Sequence, residues 1–266
     1  MSPRPELALE LDAVSCRFGE VLAVDEVSLA LAPGELVVLV GGSGSGKTTT
    51  LKLINRLIEA SGGRVRLAGE DTAKIPGHLL RRRIGYVFQG VGLFPHMRVG
   101  ENVGVTPGLL GWDPERTRAR VDAMLELVEL PAADYRERWP HELSGGQAQR
   151  VGVARALAAE PELILLDEPF GALDPLTRLR LQARLQAIRA ELELSAVFVT
   201  HDMHEALTLG DRVAVMHEGR LQQLATPTEL LRAPANDYVA AMMETVASAA
   251  SLIEGLAAEA GAEARS

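Results

Sequence analysis

Residues 36–48 read LVVLVGGSGSGKT, and the reading of this stretch decides the fold. Residues 36–40 form an uninterrupted apolar run, bounded by Pro33-Gly34 before it and a glycine cluster after it. A run of that length predicts a strand buried on both faces. Residues 41–48 fit G-x-x-x-x-G-K-[ST], and a helix is predicted to follow. In that setting the glycines Gly41, Gly42, Gly44 and Gly46 let backbone N–H groups turn inward around a phosphate. The helix N-terminus adds its partial positive charge. Lys47 is then placed to reach the β- and γ-phosphates, and Thr48 to set its hydroxyl on Mg²⁺. A glycine-rich turn opening an ordinary helix is the plain alternative. The flanking strand and helix favour the phosphate loop. The dinucleotide pattern G-x-G-x-x-G fails, because the position three after Gly44 is Lys47.

Working outward, LILL (163–166) and AVFVT (196–200) repeat the pattern of 36–40, and VAVM (213–216) reads as a strand entering a turn at Glu218-Gly219. Between them lie helical patterns. In 113–130, Val121, Met124, Leu125 and Val128 share one face. In 174–194, Leu181, Leu185, Ile188 and Leu192 do the same. Strands alternating with helices predict an α/β fold with a parallel sheet covered on both sides. Residues 7–30 alternate apolar and polar and read as antiparallel strands. Residues from about 90 to 160 carry helical patterns and Gly/Pro punctuation without a strong strand candidate, so a helical insert is expected there. The last stretch, 241–266, is rich in Ala and Glu, with Met242, Val246, Ala250, Ile253 and Ala257 at helical spacing.

Asp167 and Glu168 end the strand at 163–166, and ligands of open α/β sheets lie at the carboxyl ends of the strands. Asp167 is assigned to the metal and Glu168 to the general base that orients an attacking water. In isolation, two solvated acids capping a strand would be the simpler reading. A phosphate loop in the same chain reverses that preference. A second candidate anion site stands at LSGGQ (143–147): Ser144 reads as the cap of a helix starting in Gly145-Gly146-Gln147. One ATP clamped between two chains, each giving one site, would explain why a chain has both. Gln89 follows the strand-like IGYVF, and His201 follows AVFVT. A His201/His204 metal pair lacks a third ligand of suitable spacing.

Composition narrows the classes. The 266 residues are 47% apolar, enough for a sizeable core. No apolar run approaches the ~20 residues of a membrane-spanning helix. The formal charge of −9 argues against a nucleic-acid partner, and the basic run Arg81-Arg82-Arg83 reads as a solvated edge. The single cysteine, Cys16, fits a reducing compartment, and MSPRPELALELD lacks the features of a signal peptide, so a cytoplasmic location is expected.

With these motifs in place, residues 7–240 resemble the ATPase subunits of ATP-binding cassette (ABC) transporters. The resemblance implies a P-loop NTPase fold: a RecA-like parallel-sheet core, an antiparallel β subdomain and an α-helical signature subdomain at about 90–160. It implies that Phe18 stacks on adenine and that 41–48 with Thr49 form the Walker A loop, Ser43 and Ser45 included. Gln89 would contact Mg²⁺ and sense a transmembrane partner. Ser144, Gly145, Gly146 and Gln147 would meet the ATP of the other subunit of a homodimer. Asp167 and Glu168 match Walker B, Gly171 to Asp174 the D-loop, and His201 the switch histidine on the γ-phosphate.

TTTLKLINRLIE (48–59), GLFPHM (92–97) and YRERWPHELSGGQAQRVGVARAL (135–157) further resemble importers of glycine betaine, choline, carnitine or proline betaine. Gly42, Gly90 and Ala148 depart from that pattern at Pro, Gln and Gln, and none removes a catalytic group. Many relatives carry C-terminal CBS domains that sense ionic strength. This chain stops before them, so osmotic gating through them is not expected. Quaternary ammonium groups are held in aromatic cages, and aromatics are 4% of this chain, so the solute is expected on a separate binding protein and permease. The expected function is thus a quaternary-amine-transporting ATPase, peripheral on the inner face of the cell membrane through its permease. Alternatives are an importer ATPase for an amino acid, polyamine or sugar, and a soluble, non-transport ABC ATPase.

Overall fold

The computed structural model describes residues 6–90, 92–171 and 173–248. Two sheets organise the described residues. Strands β1 (Leu9–Phe18), β2 (Val21–Leu31), β4 (Gly62–Leu67) and β5 (Glu70–Asp71) form an antiparallel sheet in the order β2-β1-β4-β5. A second sheet takes β3 (Leu36–Val40), β6 (Ile84–Val87), β7 (Leu163–Asp167), β8 (Ala196–Thr200), β9 (Arg212–His217) and β10 (Arg220–Ala225), in the order β10-β9-β3-β8-β7-β6. All neighbours in it are parallel except the hairpin β9–β10. The apolar runs at 36–40, 163–166 and 196–200 are its buried centre, every residue of β3, β7 and β8 being buried.

The period of two decides which layer each residue joins. Leu36, Val38 and Val40 point into one core with Ile164, Leu166, Phe198 and Val213. Val37 and Leu39 point into the other with Leu163, Leu165, Val197 and Val199. The first core is closed by helices α3 (Val99–Leu109), α4 (Pro114–Leu127), α6 (Gly145–Ala158), α7 (Pro175–Leu192) and α8 (Met203–Leu209). The second is closed by α1 (Lys47–Ile54), α2 (Gly77–Arg83) and the antiparallel sheet, through Leu51, Ile54, Leu80, Leu9 and Leu31. Short helices α5 (Ala132–Tyr135) and α9 (Pro227–Arg232) lie between and after these, and residues 237–248 are helical as well. In α4 the stripe Val121, Met124, Leu125 is buried, with Val128 following it. Among the described residues from 92 to 158 there is no strand.

Two expectations are corrected, and a third is met only as far as the described residues reach. Leu192 does not join the buried face of α7: Leu185 and Ile188 are buried, Leu181 is half-buried, and Leu192 is 40% exposed. The helix stops there because Glu193 turns left-handed (φ 48°). Arg83 is not merely a solvated charge. It bonds Glu162 at 2.7 Å and Glu70 at 2.8 Å, tying the approach to β7 to the antiparallel sheet. Of the predicted C-terminal helix, 237–248 is helical, with Val239 and Met243 buried and Met242 and Val246 half-buried. Ala250, Ile253 and Ala257 lie outside the described residues.

Candidate active site

Parallel strands share their carboxyl ends, so one edge of the sheet gathers the loops that leave them. The loop after β3 carries 41–48, β6 leads to Gln89, β7 ends in Asp167 and Glu168, and β8 leads to His201. Local backbone demands shape the first of these loops. Gly46 holds φ 98°, and a Cβ there would lie 2.7 Å from the carbonyl oxygen of Ala23 on β2. A Cβ on Gly41 would lie 2.1 Å from the carbonyl of Met216 on β9. Gly42 is different: its backbone is ordinary, and its nearest neighbour would be the Tyr238 hydroxyl at 4.0 Å. Nothing at 42 requires glycine.

The Lys47 side chain is buried and folds back on this loop. Its Nζ donates to the carbonyls of Gly41 and Gly42, both at 2.8 Å, and to Ser45 Oγ at 3.2 Å. Burial lowers its pKa, while the charges of Glu168 and Asp167 act the other way. Among the described residues no carboxylate pairs with it directly, so carbonyl dipoles stand in for an anion. The first N–H groups of α1 (Lys47, Thr48, Thr49) have no acceptor within the helix, and Gly46 supplies no side-chain cap. Cation, uncapped N–H groups and a glycine turn that excludes side chains together fit a phosphate.

Thr48 Oγ1 donates to Asp167 Oδ1 at 2.9 Å, and the Tyr86 hydroxyl donates to Oδ2 at 3.3 Å. Asp167 is 3% exposed, and burial raises its pKa against the pull of these two hydrogen bonds. Glu168 holds φ 46°, a left-handed conformation that costs an ordinary residue roughly 1–3 kcal/mol and recurs at functional sites. Its Oε2 meets Gln89 Nε2 at 3.1 Å and His201 Nδ1 at 3.5 Å. The structure therefore joins Thr48 with Asp167, and Gln89 and His201 with Glu168. The hydroxyl, carboxylate and amide oxygens here are the hard donors that suit Mg²⁺.

The remaining predicted residues stand apart. Phe18, at the end of β1, is half exposed, on the hairpin whose Ala23 abuts Gly46. Ser144 caps α6 in a reciprocal box: its Oγ accepts from Gln147 N at 3.3 Å, and Gln147 Oε1 accepts from Ser144 N at 2.9 Å. Gln147 Nε2 reaches Tyr135. Gly145 has open space before it, and a Cβ on Gly146 would meet Leu173 at 3.3 Å. Among the described residues no hydrogen bond joins 144–147 to 41–49. Asp174 caps α7 by accepting from Thr177 N at 3.0 Å, and its bonds to Thr177 hold its carboxyl below the usual range.

Three residues escaped the sequence reading. Tyr86 holds Asp167, as above. Asn102, wholly buried, donates to the carbonyls of Phe94, Met97 and Arg98 and accepts from Phe94 N, so one side chain fixes the 94–98 turn. Arg155 donates to the Gly92 carbonyl at 2.7 Å. Around this turn lies a groove of about 530 Å³, lined by Leu57, Tyr86, Phe88, Phe94 and Arg155. The signal for Asn102 was its place one turn into a helix after a Pro-containing loop. Tyr86 gave no signal beyond its strand.

Known proteins resemble this chain over most of its length. The ABC transporter family model matches residues 24–171. The glycine betaine/carnitine/choline transport ATP-binding protein OpuCA of Bacillus subtilis is 50% identical over 232 residues, 87% of this chain and 61% of that protein. The glycine betaine uptake system ATP-binding protein YehX of Escherichia coli is 48% identical over 231 residues, 87% of this chain and 75% of that protein. The chain thus spans about three fifths of the length of the first of these relatives. Among solved structures, the ATP-binding cassette MJ0796, in a dimeric post-hydrolysis state bound to ADP and Pi, superposes with a TM-score of 0.74 at 33% identity. That match covers 82% of this chain and 98% of MJ0796.

Proposed function

The chain belongs to the ABC transporter family, and on that premise we propose that it is the ATP-binding and ATP-hydrolysing subunit of an importer for quaternary amine osmoprotectants such as glycine betaine, choline or carnitine. The observation that carries the enzymatic part is the meeting of Glu168 with Gln89 and His201 beside the Lys47 loop and the Thr48–Asp167 pair. The names of the relatives support the solute class.

In this reading Lys47 and the N–H groups of α1 bind the β- and γ-phosphates, with Ser43 and Ser45 in the same loop and Phe18 against the base. Thr48, Asp167 and Gln89 would hold Mg²⁺, which when bound offsets phosphate charge. Glu168 orients the attacking water and takes its proton, and His201 holds the γ-phosphate. The left-handed backbone at Glu168 turns its carboxylate toward Gln89 and His201 instead of leaving it in strand alternation. Ser144, Gly145 and Gly146 are exposed or half-exposed at the N-terminus of α6 and make no bond to the loop of their own chain. A second copy is the partner that would use them, each copy completing the ATP site of the other, with Asp174 close behind Leu173 and Gly146.

The groove lined by Phe88 and Phe94 is where a permease segment would dock and through which Gln89 would sense it. Bound to that permease, the chain would sit on the inner face of the cell membrane. Among the described residues no helix is long and apolar enough to cross a membrane. The solute-binding protein is reached through the permease.

The test is co-purification with the cognate permease and binding protein, followed by ATPase assays with added solutes. Stimulation by glycine betaine, choline or carnitine is expected. Stimulation by a sugar or polyamine alone would overturn the solute class, and absence of ATPase activity in the complex would overturn the enzymatic reading.

A further inference from the structure

We propose that Tyr86 is a positioning residue that ties the Asp167 carboxylate to the state of the groove. It would be a second link beside the contact of Gln89 with Glu168. The proposal rests on the functional reading above for the occupant of the groove, but not for the contact itself.

The link comes from strand register. Tyr86 on β6 lies opposite Leu165 on β7, and both belong to the same core layer. Asp167 is two residues beyond Leu165 on that strand, hence on the same face. A diagonal neighbour at that spacing is within reach of an aromatic side chain, and the phenol reaches Asp167 Oδ2 at 3.3 Å. With Thr48 on Oδ1 at 2.9 Å, each carboxylate oxygen has one donor, which sets the plane of the group. Tyr86 is 9% exposed and therefore held by its surroundings, so the hydroxyl cannot swing away freely.

The other side of the ring faces the groove. Tyr86 packs on Phe88 with ring centroids 4.4 Å apart, and both line the groove with Phe94 and Arg155. Phe88 is 43% exposed, so a segment entering the groove meets it directly. Movement of Phe88 would be passed to the Tyr86 ring, and through the hydroxyl to Asp167. Gln89 acts on a different carboxylate, Glu168. Movement of Phe88, which lines the groove and precedes Gln89 in the chain, would therefore reach the metal-holding acid and the general base by separate contacts.

The experiment titrates Mn²⁺ into the full chain with a non-hydrolysable ATP analogue, read by electron paramagnetic resonance. Tyr86→Phe keeps the ring and removes the donor. Loss of an outer-shell partner of a metal ligand weakens metal binding about 10- to 100-fold, and the long 3.3 Å contact puts the expected loss near the lower end. Analogue affinity in the presence of a chelator should be unchanged. Mn²⁺ affinity equal to wild type in Tyr86→Phe, or in Tyr86→Met should the first variant melt early, would overturn the positioning role.

The same titration on the complex with the permease tests the coupling. Wild type should change its Mn²⁺ affinity on permease binding and Tyr86→Phe should not, and an equal change in both would overturn the link to the groove. Failure of the permease to bind would strike the functional reading and the link to the groove, while the titration on the isolated chain would still decide the role of Tyr86 at Asp167.

Discussion

The glycine loop allows a prediction with an internal control. Gly46→Ala meets two penalties. The backbone at φ 98° is strained for any residue with a Cβ, at about 1–2 kcal/mol. The added carbon would sit 2.7 Å from the Ala23 carbonyl oxygen, a backbone atom of a strand in the antiparallel sheet that cannot swing aside. Overpacking of that kind costs about 1–3 kcal/mol. Together these give a loss of roughly 2–5 kcal/mol. At roughly 2–4 °C per kcal/mol for a chain of this size, the melting temperature should fall by about 4–20 °C. Gly42→Ala, in the same loop, meets neither penalty. Its backbone is ordinary and its nearest neighbour would be 4.0 Å away, so the effect should stay within about 0.5 kcal/mol. Calorimetry on the nucleotide-free chain separates the two, and equilibrium binding of a fluorescent ATP analogue should show loss in the Gly46 variant only. Equal melting temperatures for the two variants would refute the reasoning, because conformation and close approach are all that distinguishes the sites.

The same geometry sets other outcomes. Glu168→Gln should bind ATP as wild type does, while turnover falls about 10²- to 10⁴-fold; retention of full turnover would remove Glu168 from the role of base. Asn102→Ala strands the Phe94 N–H and takes the side-chain donor from three carbonyls of the 94–98 turn. At about 1–3 kcal/mol per buried group left unpaired, it should be among the most destabilising single changes in the helical region, and limited proteolysis should find the turn opened. Asp174→Ala removes the cap of α7. The Asp174 carboxyl titrates below its usual range in the folded chain, so its contribution is present above the unfolded pKa and is lost as pH falls through the folded one. The stability gap between Asp174→Ala and wild type should therefore be full at neutral pH and close on acidification; a gap that does not narrow in acid would show that the carboxylate charge is not what caps the helix.

Sequence made legible whatever local pattern determines. LVVLV, LILL and AVFVT announce buried strands because a strand inside a parallel sheet has no polar side. The stripe of α4 is equally direct. The phosphate loop was legible because strand, glycines, lysine and helix are contiguous. The pairing of Thr48 with Asp167 was within reach once both motifs were assigned to one sheet edge. The hidden features depend on which strands become neighbours. Tyr86 can be placed beside Asp167 only when β6 is known to pair with β7 in that register. The need for glycine at 46 comes from β2, which arrives from the other sheet. The charge on Arg83 looked solvated because its partners, Glu70 and Glu162, are distant in sequence. Leu192 fitted the α7 stripe by spacing alone, and the left-handed turn at Glu193 that ends the helix is not a spacing property. Nor does strand alternation foresee the left-handed Glu168.

The central claim is that the capped helix at Ser144 is half of an ATP site completed by a second copy of the chain. Light scattering on Glu168→Gln with and without ATP and Mg²⁺ tests it most directly, with Ser144→Arg added in the same background to fill the open space before Gly145. The account predicts that Glu168→Gln becomes a dimer only with ATP, and that the double variant binds ATP but remains a monomer. A double variant that dimerises as readily as Glu168→Gln, or a Glu168→Gln chain that binds ATP and stays monomeric, would contradict it.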